Sequence, residues 1–160
     1  MDASPFFAYP NRVESDYADD LVFLADHDDA AWRTLLSYTR TARFRAGDSV
    51  LHLGEIDRAL YIITVGRLDV LVPQGLHGLR VFATVEAGSV VGEQQFFDGR
   101  PRSAMVRAVT DGEMLRLSFD GFTALSAREP TLARDLLLDL GRILAIRLRL
   151  TTALAASRSA

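Results

Sequence analysis

The chain has 160 residues, 49% hydrophobic and 24% charged, with a net charge of −3 and a pI near 5.6. That is an ordinary globular sequence of one domain's length, and its acidic balance argues against a general nucleic-acid binder, whose footprint should be basic. Cysteine is absent, which excludes disulfides and thiolate metal sites, and all 18 basic residues are arginine, read mainly as a compositional bias.

Met1 to Tyr9 lacks a basic stretch followed by an apolar run, so no secretory signal is expected. The most apolar long stretch, 132–150, is interrupted by Asp135, Asp139, Arg142, Arg147 and Arg149, so no membrane insertion is expected. A cytoplasmic protein is the expectation. Residues 1–16, with Pro5, Pro10 and Asn11, form an expected N-terminal arm that Phe6, Phe7 and Tyr9 would pin to the domain. The domain proper is expected over 17–160 and opens with a helical segment, 17–40. A weak helix is placed around Tyr17–Ala25. A stronger one starts at Asp28-Asp29, with acids at its N-terminus and Trp32, Leu35 and Leu36 at helical spacing.

After Thr41 the hydrophobic period changes to two. Short strand-like runs follow at Phe44, Val50–Leu53, Leu60–Val65, Leu68–Val72, Leu79–Val85, Ser89–Val91, Ser103–Val109 and Glu113–Leu117. Gly47-Asp48, Gly54-Glu55, Gly66-Arg67 and Pro73–Gly78 punctuate them as turns. Many short strands at close spacing predict an antiparallel β jelly-roll barrel over 41–117, within an α+β domain.

Between two of these strands lies Val91-Gly92-Glu93-Gln94-Gln95-Phe96-Phe97-Asp98-Gly99-Arg100-Pro101-Arg102-Ser103-Ala104. Gly92 lets the backbone approach a ligand, and a carboxylate follows at once. Backbone N–H groups at the start of a one-turn helix would face an anion. Arg102, nine residues after Glu93, can grip two phosphate oxygens through its planar fork. Glu93 suits a sugar hydroxyl and a neighbouring N–H. Taken singly, Glu93 reads as a helix-start acid and Arg102 as a surface arginine; their spacing inside a barrel favours a ligand site. The hydroxyl of Ser103 would add a phosphate hydrogen bond, discriminate a purine edge, or simply fill a turn.

This stretch closely resembles the phosphate-binding cassette of the cyclic nucleotide-binding domain family. That family reads roughly Phe-Gly-Glu-Leu-Ala-Leu, a few variable residues, then Pro-Arg-Ala/Ser/Thr-Ala. Gly92, Glu93, Pro101, Arg102, Ser103 and Ala104 match without a gap. Upstream, Phe44-Arg45-Ala46-Gly47-Asp48, Gly54-Glu55, Leu60-Tyr61-Ile62-Ile63 and Gly66 follow the family's recurring run, and nothing from about 20 to 150 contradicts it. The resemblance implies a double-stranded β-helix type of jelly roll, and cAMP or cGMP as ligand without a further cofactor. It also implies ligand contacts from Gly92, Glu93, Gln94, Gln95, Arg102, Ser103 and Ala104. In the family the glutamate takes the ribose 2′-hydroxyl and the arginine the cyclic phosphate. Gln94 and Gln95 depart from the usual Leu-Ala, so either ligand preference differs, the amides make new contacts, or the pocket has drifted. Phe96 and Phe97 read as core anchors of the cassette.

Ser118 is the expected N-cap of a helix carrying Phe119, Phe122 and Leu125. Pro130 opens a second helix, with Gly141 as an expected bend, and these C-terminal helices run over 118–156. Apolar residues on the second helix exceed a single face. Leu136, Leu140 and Ile143 form one stripe and Leu137, Leu144 and Leu148 another, which points to a homodimer through this helix. The alternative is that the long helix simply covers the ligand, with Arg142, Arg147 or Arg149 near the base. His27, His52 and His77 are scattered without metal spacing, and no nucleophile–base arrangement stands out, so no enzyme is expected.

The expectation is a stand-alone sensor of cAMP or cGMP that relays binding through its C-terminal helices. The sequence stops soon after the last helix, so the output is expected through a protein effector partner or an oligomer change. The alternatives are an interaction module of the same fold that binds no nucleotide, and a sensor of another cyclic phosphorylated ligand such as a cyclic dinucleotide.

Overall fold

Asp28 opens the first α-helix among the described residues, 21–158, of the chain's computed structural model. The expected arm and residues 17–20 lie outside the described residues. The Asp28 carboxylate accepts from the Ala31 N–H at 2.8 Å, and helix α1 runs over Asp29–Leu36. Leu35 is buried and Leu36 is exposed. The expected helical segment 17–40 is therefore corrected. Residues 22–26 form a bend and turns, and strand β1 already begins at Arg40. This segment is instead held by long-range bonds, Phe23 N–H to Gly88 O and Leu24 N–H to Asp139, which no local pattern announces.

Eight strands follow among the described residues: β1 (Arg40–Phe44), β2 (Ser49–Leu51), β3 (Ala59–Val65), β4 (Arg67–Pro73), β5 (Leu79–Glu86), β6 (Val90–Val91), β7 (Met105–Ala108) and β8 (Gly112–Ser118). All pair antiparallel, in two sheets of order β1-β8-β3-β6 and β2-β7-β4-β5. This is the expected jelly-roll arrangement. Strand β3 shows why its sequence is apolar at consecutive positions. Ala59, Tyr61 and Ile63 point between the sheets, while Leu60 and Ile62 point outward under the helices. With both faces covered, alternation gives way to a continuous run.

Helix α2 (Glu93–Asp98) interrupts the strands between β6 and β7. Helix α3 (Phe119–Arg128) starts on Ser118, whose hydroxyl accepts the Gly121 N–H at 3.0 Å. Helix α4 (Pro130–Arg158) then packs Ala133, Leu136, Leu140 and Ile143 onto Leu60, Ile62, Leu115 and Leu117. Its second stripe is less buried: Leu137 and Leu144 are half-buried and Leu148 is exposed. No helix among the described residues is long and apolar enough to cross a membrane.

The helix continues without a break through Gly141, which is exposed, and a Cβ there would meet nothing within 4 Å. Glycine is about 1 kcal/mol less favourable than alanine in a helix interior. Gly141→Ala should therefore raise the melting temperature by roughly 2–4 °C, measured by circular dichroism. A fall would show that the helix needs the bend expected from sequence.

Candidate functional site

Helix α2 starts at a glycine because nothing else fits there. Gly92 has φ +83°, and a Cβ on it would stand 2.9 Å from both Ala59 O and Arg102 Nη1. Bare backbone thus lets the arginine's guanidinium lie against the start of the helix. The first helical hydrogen bond runs from Phe96 N–H to Gly92 O, so the N–H groups of Gln94 and Gln95 have no partner within the helix.

Gly92, Glu93, Gln94, Gln95, Arg102, Ser103 and Ala104 all border one cavity of about 280 Å³ with an apolar floor of Leu51, Val70, Val91 and Val106. The two residues singled out from their spacing do converge. The Glu93 and Arg102 side chains are 1% and 4% exposed, so both charges are withdrawn from water.

Their partners came from parts of the chain that spacing could not connect. Arg102 Nη2 donates to Asp57 O at 2.8 Å, and its backbone is locked by Arg102 N–H to Glu55 O and Gly54 N–H to Arg102 O. The Asp57 and Glu55 carboxylates stand 3.8 and 3.9 Å from the guanidinium, close enough to balance its charge but beyond hydrogen-bond contact. Tyr61 lies beneath it, with the ring centroid 5.4 Å away. Among the described residues the Arg102 side chain makes one hydrogen bond, and its buried Nε makes none.

Glu93 Oε1 accepts from Arg147 Nη1 at 2.6 Å, and Arg147 Nη2 donates to Val90 O at 2.9 Å. Of the three arginines expected near the base, Arg147 is thus the one that reaches the cassette. Arg142 pairs with Asp139 and Val22 O, and Arg149 is exposed.

The two glutamines separate. Gln94 is half-buried at the cavity, its carbonyl 3.4 Å from the Ser103 hydroxyl. Gln95 is 3% exposed and commits its side chain to protein backbone. Phe96 is a core anchor as expected, but Phe97 is 40% exposed and only edges onto Phe96, a correction that follows from the helix turning it outward.

Asp57 went unrecognised in the sequence, within a turn marked only by Gly54-Glu55. It accepts hydrogen bonds from Arg116 on β8 and from the Tyr61 hydroxyl. Arg116 above all holds the Asp57 carboxyl below the usual range, against an opposing push from burial. Burial first, and the Asp57 hydrogen bond second, raise the Tyr61 phenol. Asp57 is thus the hub through which β3, β8 and Arg102 meet.

The fold and cavity define a jelly-roll domain that sets a buried guanidinium and a buried carboxylate on one small cavity. Residues 41–129 match the cyclic nucleotide-binding domain family, and the chain belongs to it. An uncharacterized NTE family protein of Mycobacterium tuberculosis is 31% identical over 121 residues, 76% of this chain and 20% of that protein. The cyclic AMP receptor protein of Thermus thermophilus is 31% identical over 114 residues, 71% of this chain and 51% of the regulator. The crystal structure of a cyclic nucleotide-binding domain from Methylobacillus flagellatus superposes with a TM-score of 0.78 at 26% identity, covering 88% of this chain and 79% of that one. The chain thus spans a fifth of the first relative's length and about half of the second's.

A carboxylate whose folded pKa is depressed contributes stability above its unfolded value of about 4, and that stability is lost as pH falls through the folded pKa. Asp57→Asn should therefore melt below the wild type by a margin that is widest above about pH 5 and narrows as the pH falls below about 4 and through the depressed folded pKa. Thermal melts across that range would check it. A margin unchanged down to the lowest pH would show that Asp57 is not held as an ionised partner.

Proposed function

We propose that this domain binds a 3′,5′-cyclic nucleotide in the cassette cavity and reports the event through α4. The observation that carries the proposal is Arg102: a cation 4% exposed, bordering a cavity, with one side-chain hydrogen bond and a buried Nε lacking a partner among the described residues. A buried charged donor left short of acceptors is costly. A cyclic phosphate supplies acceptor oxygens in the geometry a guanidinium prefers. The N–H groups of Gln94 and Gln95 at the start of α2 would add to them.

Glu93 fits the ribose. Its carboxylate, which accepts from Arg147, borders the cavity and can accept from a hydroxyl, and the 2′-hydroxyl is the free ribose hydroxyl of a 3′,5′-cyclic nucleotide. Sharing Glu93 between sugar and Arg147 would join the ligand to α4, so the two occupancy states would favour different positions of that helix. Ser103 and Gln94 at the cavity border are the groups placed to meet a base or a phosphate oxygen.

The relative from Thermus thermophilus is named for cyclic AMP, which makes cAMP the first ligand to test and cGMP the second. The proposal is a regulatory domain acting in the cytoplasm. Its output would pass to an effector protein or to a second copy meeting α4, whose exposed Leu138 and Leu148 leave apolar surface outside the core.

Calorimetric titration tests the reading. Wild-type protein should bind cAMP or cGMP saturably in the micromolar range. Arg102→Ala, which removes charge-assisted bonds worth about 1.5–3 kcal/mol, should weaken binding on the order of 100-fold. Absence of heat from both nucleotides would replace the sensor with a non-binding module of the same fold.

A further inference from the structure

We infer that Gln95 is a positioning residue: its amide clasps the cassette to the β2–β3 loop and thereby presets Arg102. The inference rests on the proposed nucleotide site and adds to it the element that keeps the site assembled when empty.

The geometry is specific. Gln95 Nε2 donates to Glu55 O at 2.8 Å and to Arg100 O at 2.7 Å, while Gln95 Oε1 accepts the Asp57 N–H at 3.1 Å. One side chain therefore joins three backbone segments: α2, the loop at 55–57, and the chain just before Arg102. Both donors and the acceptor are used, and the residue is 3% exposed.

The groups it holds are those that hold Arg102. Glu55 O also accepts the Arg102 N–H at 3.0 Å, and Asp57 O accepts Arg102 Nη2 at 2.8 Å. Without the clasp, the loop and the cassette would remain joined by Arg102 itself and by Arg58, which donates to Phe96 O and Phe97 O on the far end of α2. Arg102 would then be anchoring the loop instead of being presented by it. The amide frees the guanidinium from that duty.

Polarity is the property required, and shape alone cannot replace it. Alanine leaves the backbone groups unmatched. Methionine fills the same volume with no donor. Glutamate keeps the acceptor for the Asp57 N–H but turns a carboxylate oxygen toward two carbonyls, a repulsion that protonation would relieve by supplying one donor.

Hydrogen exchange and calorimetry together test this. In the ligand-free wild type the Asp57 N–H should exchange at least 100-fold more slowly than an exposed loop amide, and Gln95→Met should lose most of that protection. Gln95→Met and Gln95→Ala should each bind the preferred nucleotide at least 10-fold more weakly while the barrel amides of β3 and β8 stay protected. Gln95→Glu should bind weakly near pH 8 and regain affinity toward pH 5, relative to wild type at each pH. An Asp57 amide that exchanges rapidly in the wild type overturns the clasp, even if no variant folds. So does Gln95→Met binding within twofold of wild type. If the wild type binds neither nucleotide, the sensor reading falls, and the Asp57 exchange rates still decide the clasp.

Discussion

A guanidinium taken out of water and given, among the described residues, one hydrogen bond is the constraint on which the rest of this structure depends. Desolvating such an ion costs several kcal/mol after relaxation, so the fold must offset it. Asp57 and Glu55 do so at 3.8 and 3.9 Å, distances that lower the electrostatic energy of Arg102 without occupying its remaining donors. Charge is balanced while hydrogen-bonding capacity is left over. The separation of those two requirements distinguishes this arginine from one in an ordinary buried ion pair, such as Arg147 with Glu93, where contact is direct.

Holding that arrangement needs rigid surroundings, and the strands provide them. Strand β3 is packed on both faces, and from its start Asp57 and Arg58 reach opposite sides of the cassette. Asp57 goes to Arg102 and Arg116. Arg58 goes to the carbonyls ending α2, a favourable place for a cation, and lies over the Phe119 ring with its guanidinium carbon 3.5 Å from the centroid. Phe96 meets Phe119 and Phe122 on the same side. One end of α2 is therefore tied to α3, and the other, through Glu93, to α4.

Much of this was legible because the physics behind it is local. Period-two runs marked the strands, the acids Asp28-Asp29 and the cap Ser118 marked helix starts, and the spacing of Gly92, Glu93 and Arg102 within a strand-rich stretch, with the cassette resemblance, marked the cavity. What escaped was set by distant contacts. Asp57 is 45 residues from the arginine it supports, and Arg147 is 54 from Glu93; each looks like a surface charge until the chain is folded. The segment 22–26 has apolar residues suited to a helix, yet its backbone is held by Gly88 and Asp139 instead. Gln95 was expected as a ligand contact from its place in the cassette, where it departs from the usual alanine, and it does line the cavity, but its side chain also has a structural use. Its use appears only when the carbonyls of residues 55 and 100 are seen beside it.

The division of α4 into two differently held halves bears on how a signal would leave the cavity. Ala133, Leu136, Leu140 and Ile143 anchor the first half by apolar packing, which is non-directional and indifferent to what the cavity contains. Beyond them the buried stripe continues as the polar residues Arg147 and Thr151. A buried ion pair is weak support for stability, since a hydrophobic pair of similar volume is often as good or better. It differs in being sensitive to any charge or hydrogen-bonding group that arrives beside it. Because Glu93 also borders the cavity, the distal half of α4 meets the cassette through a buried ion pair beside that cavity, while the proximal half rests on apolar packing.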